Sequence, residues 1–129
     1  MTGTAPAHKM YQYAMPRQYT MLSQAPYVIL PVFKAGENLF HASSVNQMNS
    51  FASIWCVIEN IFLAVTAEGL AYSMRIPVGE EGKKTAAMLN VPRGYTIPCY
   101  IGIGYPPDAC QQLEQIAYTA DEKIHFGTW

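Results

Sequence analysis

Residues 52–81, ASIWCVIENIFLAVTAEGLAYSMRIPVGEE, contain the most regular pattern in the chain. Apolar side chains three and four residues apart indicate an amphipathic helix: Phe51, Ile54, Trp55, Ile58, Phe62 and Val65. We predict a helix from about Val45 to Ala67, with Gly69 as a left-handed cap. Further apolar residues widen the stripe almost to the whole circumference. A helix of this kind is typical of a central position or of a subunit interface.

Shorter elements are predicted on both sides of this helix. They are an N-terminal arm (residues 1–24), a strand (Ala25–Lys34), a strand (Leu70–Ile76), a helix (Glu80–Leu89) and a strand (Ile97–Ile103). The first strand is a continuous apolar run, which favours burial on both faces, although its Pro31 favours an edge or a bulge. The order predicts one α+β domain over residues 1–129, with a central long apolar helix packed on a small mixed β-sheet.

Glu59 and Asn60 interrupt the apolar helix. Buried polar groups need hydrogen-bonding partners, so one interpretation is a pair that ties the helix to a neighbouring loop. The other is a polar contact at a cofactor pocket or at a dimer seam. Arg75, at the end of the following strand, also has two interpretations. It is either a surface arginine or a residue that contacts an electron-rich ligand.

The composition favours a protein that covers part of its surface with a partner. Half of the residues are hydrophobic and only 13% are charged, which is low for a globular chain. The net charge of -1 gives no electrostatic footprint for nucleic acid. Phe51 to Met74 is the one candidate membrane span, but Glu59 and Asn60 at its middle make lipid exposure costly. With no signal peptide recognised, a soluble cytoplasmic protein is expected.

Several site types are not supported by the spacing. The three histidines are isolated, so no metal site is predicted. Cys56, Cys99 and Cys110 lie far apart and are expected to be free thiols, mostly buried, with Cys110 the most exposed. The run GIGYPP lacks the third glycine of a dinucleotide fingerprint. Adjacent Glu80 and Glu81 are interpreted as a solvated helix start.

The ordered series of motifs resembles the nitroreductase family of flavin enzymes. The central helix carries the polar pair Glu59-Asn60, and the turn Gly69-Leu70-Ala71 is similar to the family's Gly-Leu-Gly turn. Further matches follow in order: Leu89, Pro92 and Tyr95 at the spacing of a Leu-x-x-Pro-x-x-Tyr loop, the strand end Gly104-Tyr105-Pro106, and the closing IHFGTW. The resemblance runs from about Pro26 to Trp129, which corresponds to the C-terminal portion of the family fold.

This resemblance implies an FMN cofactor at a homodimer interface. NAD(P)H would reduce the flavin, and a nitroaromatic, quinone or similar acceptor would reoxidise it. The residues implied to contact the cofactor are Ser73, Met74, Arg75, Ile76, Pro77 and Gly79, with Lys123 near the C-terminus. The family needs no side-chain nucleophile, because the flavin carries the hydride chemistry.

Three departures from the family pattern point to an alternative. The N-terminal arginine-rich motif that grips the FMN phosphate has no match, Lys123 is the nearest substitute for a basic pair near the end, and Ala71 replaces a glycine. The chain therefore resembles an incomplete domain whose N-terminal part is missing, and the expected partner is either a second copy of the chain or the missing N-terminal half. The alternative function is a non-catalytic fragment or interaction module that keeps the dimer-forming helix without binding flavin.

Overall fold

The computed structural model describes residues 12–35, 41–110 and 119–127. Its helices and strands are α1 (Gln18–Gln24), β1 (Tyr27–Ile29), β2 (Phe33–Lys34), α2 (Asn49–Ala67), β3 (Ala71–Arg75), α3 (Glu81–Met88), β4 (Tyr95–Thr96) and β5 (Tyr100–Gly104). Turns of 3-10 helix are found at Met15–Arg17, Val45–Met48 and Ala120–Glu122. The α+β class predicted from the sequence is confirmed.

Helix α2 ends where the sequence predicts, at Ala67. Gly69 has a φ of 68°, and its N–H donates to the Thr66 carbonyl over 3.0 Å, while the Leu70 N–H donates to the Val65 carbonyl over 3.0 Å. These two bonds form a Schellman motif, which satisfies the last free carbonyls of the helix. At the other end, the predicted first turn is a 3-10 segment, Val45–Met48, whose N-cap Ser44 makes no capping hydrogen bond.

The strands form two small antiparallel sheets among the described residues, whereas the sequence predicted a mixed one. One has the order β1-β5-β3 and the other pairs β2 with β4. In the larger sheet, Gly102 on β5 lies opposite both Val28 and Ser73. All strand pairs among the described residues are antiparallel, although the connection from β3 to β5, which contains α3 and β4, is long enough for a parallel crossover.

The predicted strand over residues 25–34 is divided in two. Strand β1 pairs with β5, while β2 pairs with β4 in the other sheet. The separation falls at Pro31, which has no N–H to donate to a ladder. The expectation that both faces of this run are buried is wrong for β1, because Tyr27, Val28 and Ile29 are all exposed. Of the predicted strand over residues 97–103, Ile97 to Cys99 are buried in extended chain ahead of β5.

The core lies between α2 and the larger sheet. Ile58 on α2 is fully buried with Cys99 and Ile101, and partly buried apolar residues surround them. The rings of Phe62 on α2 and Tyr72 on β3 stack with their centroids 4.2 Å apart and an interplanar angle of 3°. The predicted packing of the central helix on a sheet is therefore present, and it fixes β3 relative to α2.

The N-terminal arm, predicted without a clear period, contains helix α1, and this helix packs on the sheet. A Cβ at Gly102 would lie 3.0 Å from the Cβ of Ala25 and 3.2 Å from Cδ2 of Leu22. The missing side chain on β5 therefore lets α1 approach the strand closely. Residues 12–14 of the same arm are helical as well.

Candidate functional site

A cavity of about 620 Å³ lies beside the loop that joins β3 to α3. One wall is aromatic and comes from β2 and the first half of α2. The rings of Phe33 and Phe51 have centroids 6.1 Å apart, and Trp55 meets Phe51 edge-on at the same distance. The other walls come from α3 and from residues 91–98. A cavity of this size, mainly apolar with a few polar groups, is typical of cofactor and small-molecule sites, which span about 300–1,000 Å³.

Three of the predicted cofactor residues line this cavity: Ile76, Pro77 and Gly79. Gly79 has a φ of 54°, a left-handed conformation that favours glycine. Its N–H donates to no described residue, so it remains available to a ligand. These three residues therefore lie at a cavity, and their contact with a cofactor stays a prediction.

Two cationic side chains also line the cavity. Lys83 comes from α3 and Arg93 from the loop before β4, and none of the described lining residues is an acid. The Lys83 Nζ lies 2.9 Å from Glu80, but both side chains are more than half exposed. Exposed pairs of this kind are weak, so Lys83 can exchange Glu80 for a bound anion. The cavity thus combines an aromatic wall with positive charge.

Ser73 and Met74, the other predicted cofactor residues on β3, lie within the sheet. Ser73 pairs with Gly102, and Met74 with Ile101. The Met74 side chain packs against the core, while its carbonyl accepts a hydrogen bond of 3.3 Å from Nε2 of Gln18. Neither residue lines the large cavity. In the structure they support the strand that leads to the cavity loop.

Arg75 binds Glu81. Its Nε and one terminal nitrogen donate to the two carboxylate oxygens of Glu81 over 3.3 and 3.0 Å, and the Val78 N–H donates to the same carboxylate over 3.1 Å. The hydrogen bond from Arg75 and that from Val78 lower the pKa of Glu81, and the bond to Glu81 raises the pKa of Arg75. Glu81 begins a helix, as the sequence predicts, but its carboxylate is bound by Arg75 and Val78 and is only partly exposed.

A second, smaller cleft of about 280 Å³ lies on the other side of Arg75 and Glu81. Thr85 and Tyr100 line it as well. Their hydroxyl groups lie 2.9 Å apart, and the Thr85 hydroxyl is also 3.0 Å from the Glu81 carbonyl. These contacts join the start of α3 to strand β5.

Lys123, the last predicted cofactor residue, lies in the 119–127 segment. Its N–H donates to the Ala120 carbonyl over 2.9 Å, and it is not among the described residues that line the large cavity. Of the His, Cys, Asp and Glu side chains in the described ranges, no three come together in a group that could hold a metal ion.

Helix α2 buries one side and exposes the opposite one. Ser53, Cys56, Asn60, Leu63 and Ala67 are all exposed, and their alternating spacing of three and four residues places them on one line along the helix. Leu63 is 61% exposed. Glu59 is exposed too, so the premise that Glu59 and Asn60 are buried within the chain is wrong. Asn60 lies at the middle of the line, which we call the α2 seam.

The long apolar segment also meets the simple criteria for a membrane helix. Within the described residues, one segment, Val45–Ala67, is long and apolar enough to cross a membrane by length and composition alone. The core helix of a soluble protein satisfies the same test, although only 11% of this apolar window is buried within the described part of the chain. Its inner side packs on the sheet through Ile58 and Val65.

The three thiols differ in their environments. Cys99 is fully buried in the core, and burial raises the pKa of its thiol to about 11. Cys110 is exposed as expected, but Cys56 is exposed as well, because it lies on the α2 seam and not on the buried stripe. The sequence pattern could not distinguish these two sides of an almost wholly apolar helix.

Sequence reasoning missed several residues of the site. They are the aromatic wall (Phe33, Phe51, Trp55), the cavity cations (Lys83, Arg93) and the Arg75 partner (Glu81). Phe51 and Trp55 belong to the predicted apolar stripe, but their contact with Phe33 joins distant parts of the sequence, so no local pattern reveals the wall. Glu81 had one available signal, since an acid in the first turn of a helix often accepts bonds from the preceding loop.

Comparison with known proteins agrees with the resemblance seen in the motifs. The model of the nitroreductase family matches residues 3–105, so the match extends further toward the N-terminus than Pro26. A comparison with curated proteins gives no significant match.

Solved structures share the fold. An FMN-dependent nitroreductase from Clostridium difficile R20291 superposes with a TM-score of 0.55 at 21% identity, over 95% of this chain and 70% of that one. A candidate NADH oxidase from Clostridium acetobutylicum gives 0.56 at 18% identity, over 99% and 90%. A candidate NADH dehydrogenase/NAD(P)H nitroreductase from Bacteroides thetaiotaomicron gives 0.55 at 16% identity, over 100% and 88%.

Proposed function

The chain belongs to the nitroreductase family, and on this premise we propose that it is an FMN-dependent oxidoreductase whose cofactor occupies the 620 Å³ cavity. The single observation that carries the proposal is the composition of that cavity. It brings together three residues predicted to face the flavin, an aromatic wall and two cations. The solved structure of an FMN-dependent nitroreductase with the same fold supports the choice of cofactor.

The residues present fit the two chemically different ends of FMN. A planar, mostly apolar ring system suits the side formed by Phe33, Phe51 and Trp55, where aromatic rings can pack edge-to-face or stacked. The phosphate suits Lys83 and Arg93, since charge-assisted hydrogen bonds are the strong ones for phosphate. These two cations replace, in our proposal, the N-terminal arginines that the family uses.

The bound flavin supplies the chemistry, which is to accept a hydride from one substrate and pass electrons to another. The protein contributes fixed groups around it. The unpaired N–H of Gly79 can donate to a ring atom that gains negative charge, and such preorganised donors stabilise developing charge. Ile76 and Pro77 add apolar surface that excludes water from this side of the ring. No side-chain nucleophile is required.

We propose that two chains associate through the α2 seam. The seam is apolar except for Ser53 and Asn60, and its small residues Cys56 and Ala67 permit close approach of two helices. Asn60 at its centre can pair with its counterpart and select one register, as polar residues do in helix pairs. Association covers the exposed apolar side of the helix, which accounts for the low charge of the chain and favours a soluble, cytoplasmic protein over a membrane-spanning one.

The proposed reductant is NADH or NADPH, and the proposed acceptors are nitroaromatic compounds or quinones. The names of two structural neighbours, a candidate NADH oxidase and a candidate NAD(P)H nitroreductase, support this choice. Planar aromatic acceptors can stack against the exposed side of the flavin at the open cavity mouth. The same opening serves the reductant, so the two substrates alternate.

The test is oxidation of NADH and of NADPH by the purified protein with added FMN, each with a nitroaromatic acceptor, a quinone and oxygen alone. We expect acceptor-dependent oxidation that requires protein and FMN together. A protein that binds no FMN and oxidises neither nucleotide contradicts the proposal. That result would instead favour the non-catalytic alternative, an interaction module that keeps the α2 seam, especially if the chain were still a dimer.

A further inference from the structure

We propose that Glu81 is a positioning residue, which fixes the β3–α3 loop, residues 76–80, in the conformation that receives the cofactor. Within the described residues, its carboxylate binds Arg75, immediately before the loop, and the Val78 N–H at the middle of the loop. The inference rests on the proposed function for the identity of the ligand. The contacts themselves are independent of it.

The Glu81 contacts occupy one backbone donor of the loop and leave that of Gly79 free. The Val78 N–H is occupied by the Glu81 carboxylate over 3.1 Å, and Pro77 has no N–H. The next N–H, that of Gly79, has no partner among the described residues. Because Gly79 lines the large cavity, its N–H is a donor that the loop can offer to a ligand.

Glu81 is itself held by the rest of the fold. Its N–H donates to the Val78 carbonyl over 3.1 Å, which closes the loop a second time. Its carbonyl accepts from the Thr85 hydroxyl, which in turn meets the Tyr100 hydroxyl on β5. The carboxylate and the guanidinium are both only partly exposed, at 35% and 25%, so water does not fully screen the pair.

The charge and the geometry predict opposite effects, and this makes the proposal testable. FMN is an anion, so removal of a nearby negative charge would tighten its binding if Glu81 acted only through its charge. Loss of the fixed loop would weaken binding, because the loop would have to be ordered again in each binding event. The direction of the change therefore distinguishes positioning from simple repulsion.

The experiment measures the FMN dissociation constant by flavin fluorescence for the wild type, Glu81→Ala, Glu81→Gln and the matched control Glu68→Gln. Glu68 is an exposed acid that lines neither cavity. We expect Glu81→Ala to raise the dissociation constant about tenfold, as for loss of charged hydrogen bonds. Glu81→Gln, which keeps one acceptor for the Val78 N–H, should raise it less, and Glu68→Gln should leave it within about twofold.

Two further measurements separate positioning from general instability. The visible spectrum of bound flavin should move toward that of free flavin in Glu81→Ala, at a temperature where thermal unfolding shows the variant to be folded. Arg75→Gln combined with Glu81→Gln should be less damaging than the sum of the two changes, since both break one interaction. If Glu81→Ala does not fold, Glu81→Gln and Arg75→Gln supply the comparison.

The outcomes distinguish this inference from the proposed function. A wild type that binds no FMN rejects both. A wild type that binds FMN, with variants that bind equally or more tightly and show an unchanged spectrum, rejects the positioning role alone. Weaker binding in both Glu81 variants, in the order stated, with a shifted spectrum supports it.

Discussion

Gly82 in helix α3 packs directly against Pro77 in the cavity loop. A Cβ at position 82 would lie 3.3 Å from Cγ of Pro77 and 3.5 Å from its Cβ. Because Gly82 has no side chain, the loop can pack closely against the first turn of α3. The position of the cavity wall therefore depends on a residue with no side chain of its own.

Replacement of Gly82 by leucine should displace Pro77 and weaken FMN binding. Overpacking of this kind costs about 1–3 kcal/mol, which corresponds to roughly a tenfold rise in the dissociation constant if the loop takes up the strain. Flavin fluorescence titration measures the effect. Lys84→Leu is the control, since Lys84 is exposed on the same helix and does not line the cavity. Equal affinities for the two variants would contradict the packing argument.

The double variant Lys83→Gln, Arg93→Gln should lose affinity for FMN and keep its affinity for riboflavin, which has no phosphate. Charge-assisted hydrogen bonds contribute about 1.5–3 kcal/mol each, so FMN should bind at least tenfold more weakly. Lys84→Gln, which removes an exposed charge outside the cavity, should change neither ligand. A loss of affinity equal for FMN and riboflavin would show that the two cations do not meet the phosphate.

A charge on the α2 seam should separate the proposed dimer. Leu63→Glu places a carboxylate on the exposed line of helix α2, and a buried unpaired charge at an interface is costly. We expect a monomer of normal helical content by sedimentation and circular dichroism. Thr66→Glu, which is exposed on α2 but off the seam, should remain dimeric. A wild type that sediments as a monomer would contradict the proposed association through the α2 seam.

The thiols should react in a fixed order. Cys110 is exposed and should be labelled first by a maleimide. Cys99 should be labelled only after unfolding, since it is buried and its raised pKa of about 11 keeps it protonated at neutral pH. Cys56 lies on the seam, so it should be protected in the wild type and reactive in Leu63→Glu. Mass spectrometry of labelled peptides identifies each site, and rapid labelling of Cys56 in the wild type would contradict the dimer.

The Arg75–Glu81 pair should stabilise the fold at neutral pH and lose this effect in acid. The pKa of Glu81 is lowered in the folded chain from the ordinary 4.5, so its contribution is complete above that value and declines as the pH falls below it. The wild type should therefore exceed Glu81→Gln in unfolding free energy at pH 7, by less than about 1 kcal/mol for a partly exposed pair. The difference should shrink in acid, and a constant difference down to low pH would oppose this assignment.

The sequence pattern predicted the helices best, because their periodicity and caps depend on residues that are close in sequence. The end of α2 at Ala67, its cap at Gly69 and the start of α3 follow from local rules of periodicity and capping. The division of the first strand at Pro31 was only partly predictable, since proline marks a break but does not say which sheet each half joins. The sheet assignments depend on partners that are distant in sequence, such as β5 for β1.

The loop residues of the site were predicted from the sequence, but the cavity that they line was not. Ile76, Pro77 and Gly79 were placed by resemblance, and the structure brings them to the cavity wall. In the structure, Arg75 binds Glu81, whereas Ser73 and Met74 pair with β5 in the sheet. Periodicity could not separate the three residues, because they are neighbours on one short strand. The exposed side of α2 was not recognised from the sequence because Cys56, Leu63 and Ala67 make it resemble the buried side.

The most direct test of FMN binding is the absorption spectrum of the purified chain after incubation with FMN and desalting. We expect a retained flavin spectrum at close to one FMN for each chain, with the free-flavin bands displaced by the aromatic wall. A colourless protein after both steps would contradict the central claim. This result would show that the chain has the nitroreductase fold but does not bind FMN.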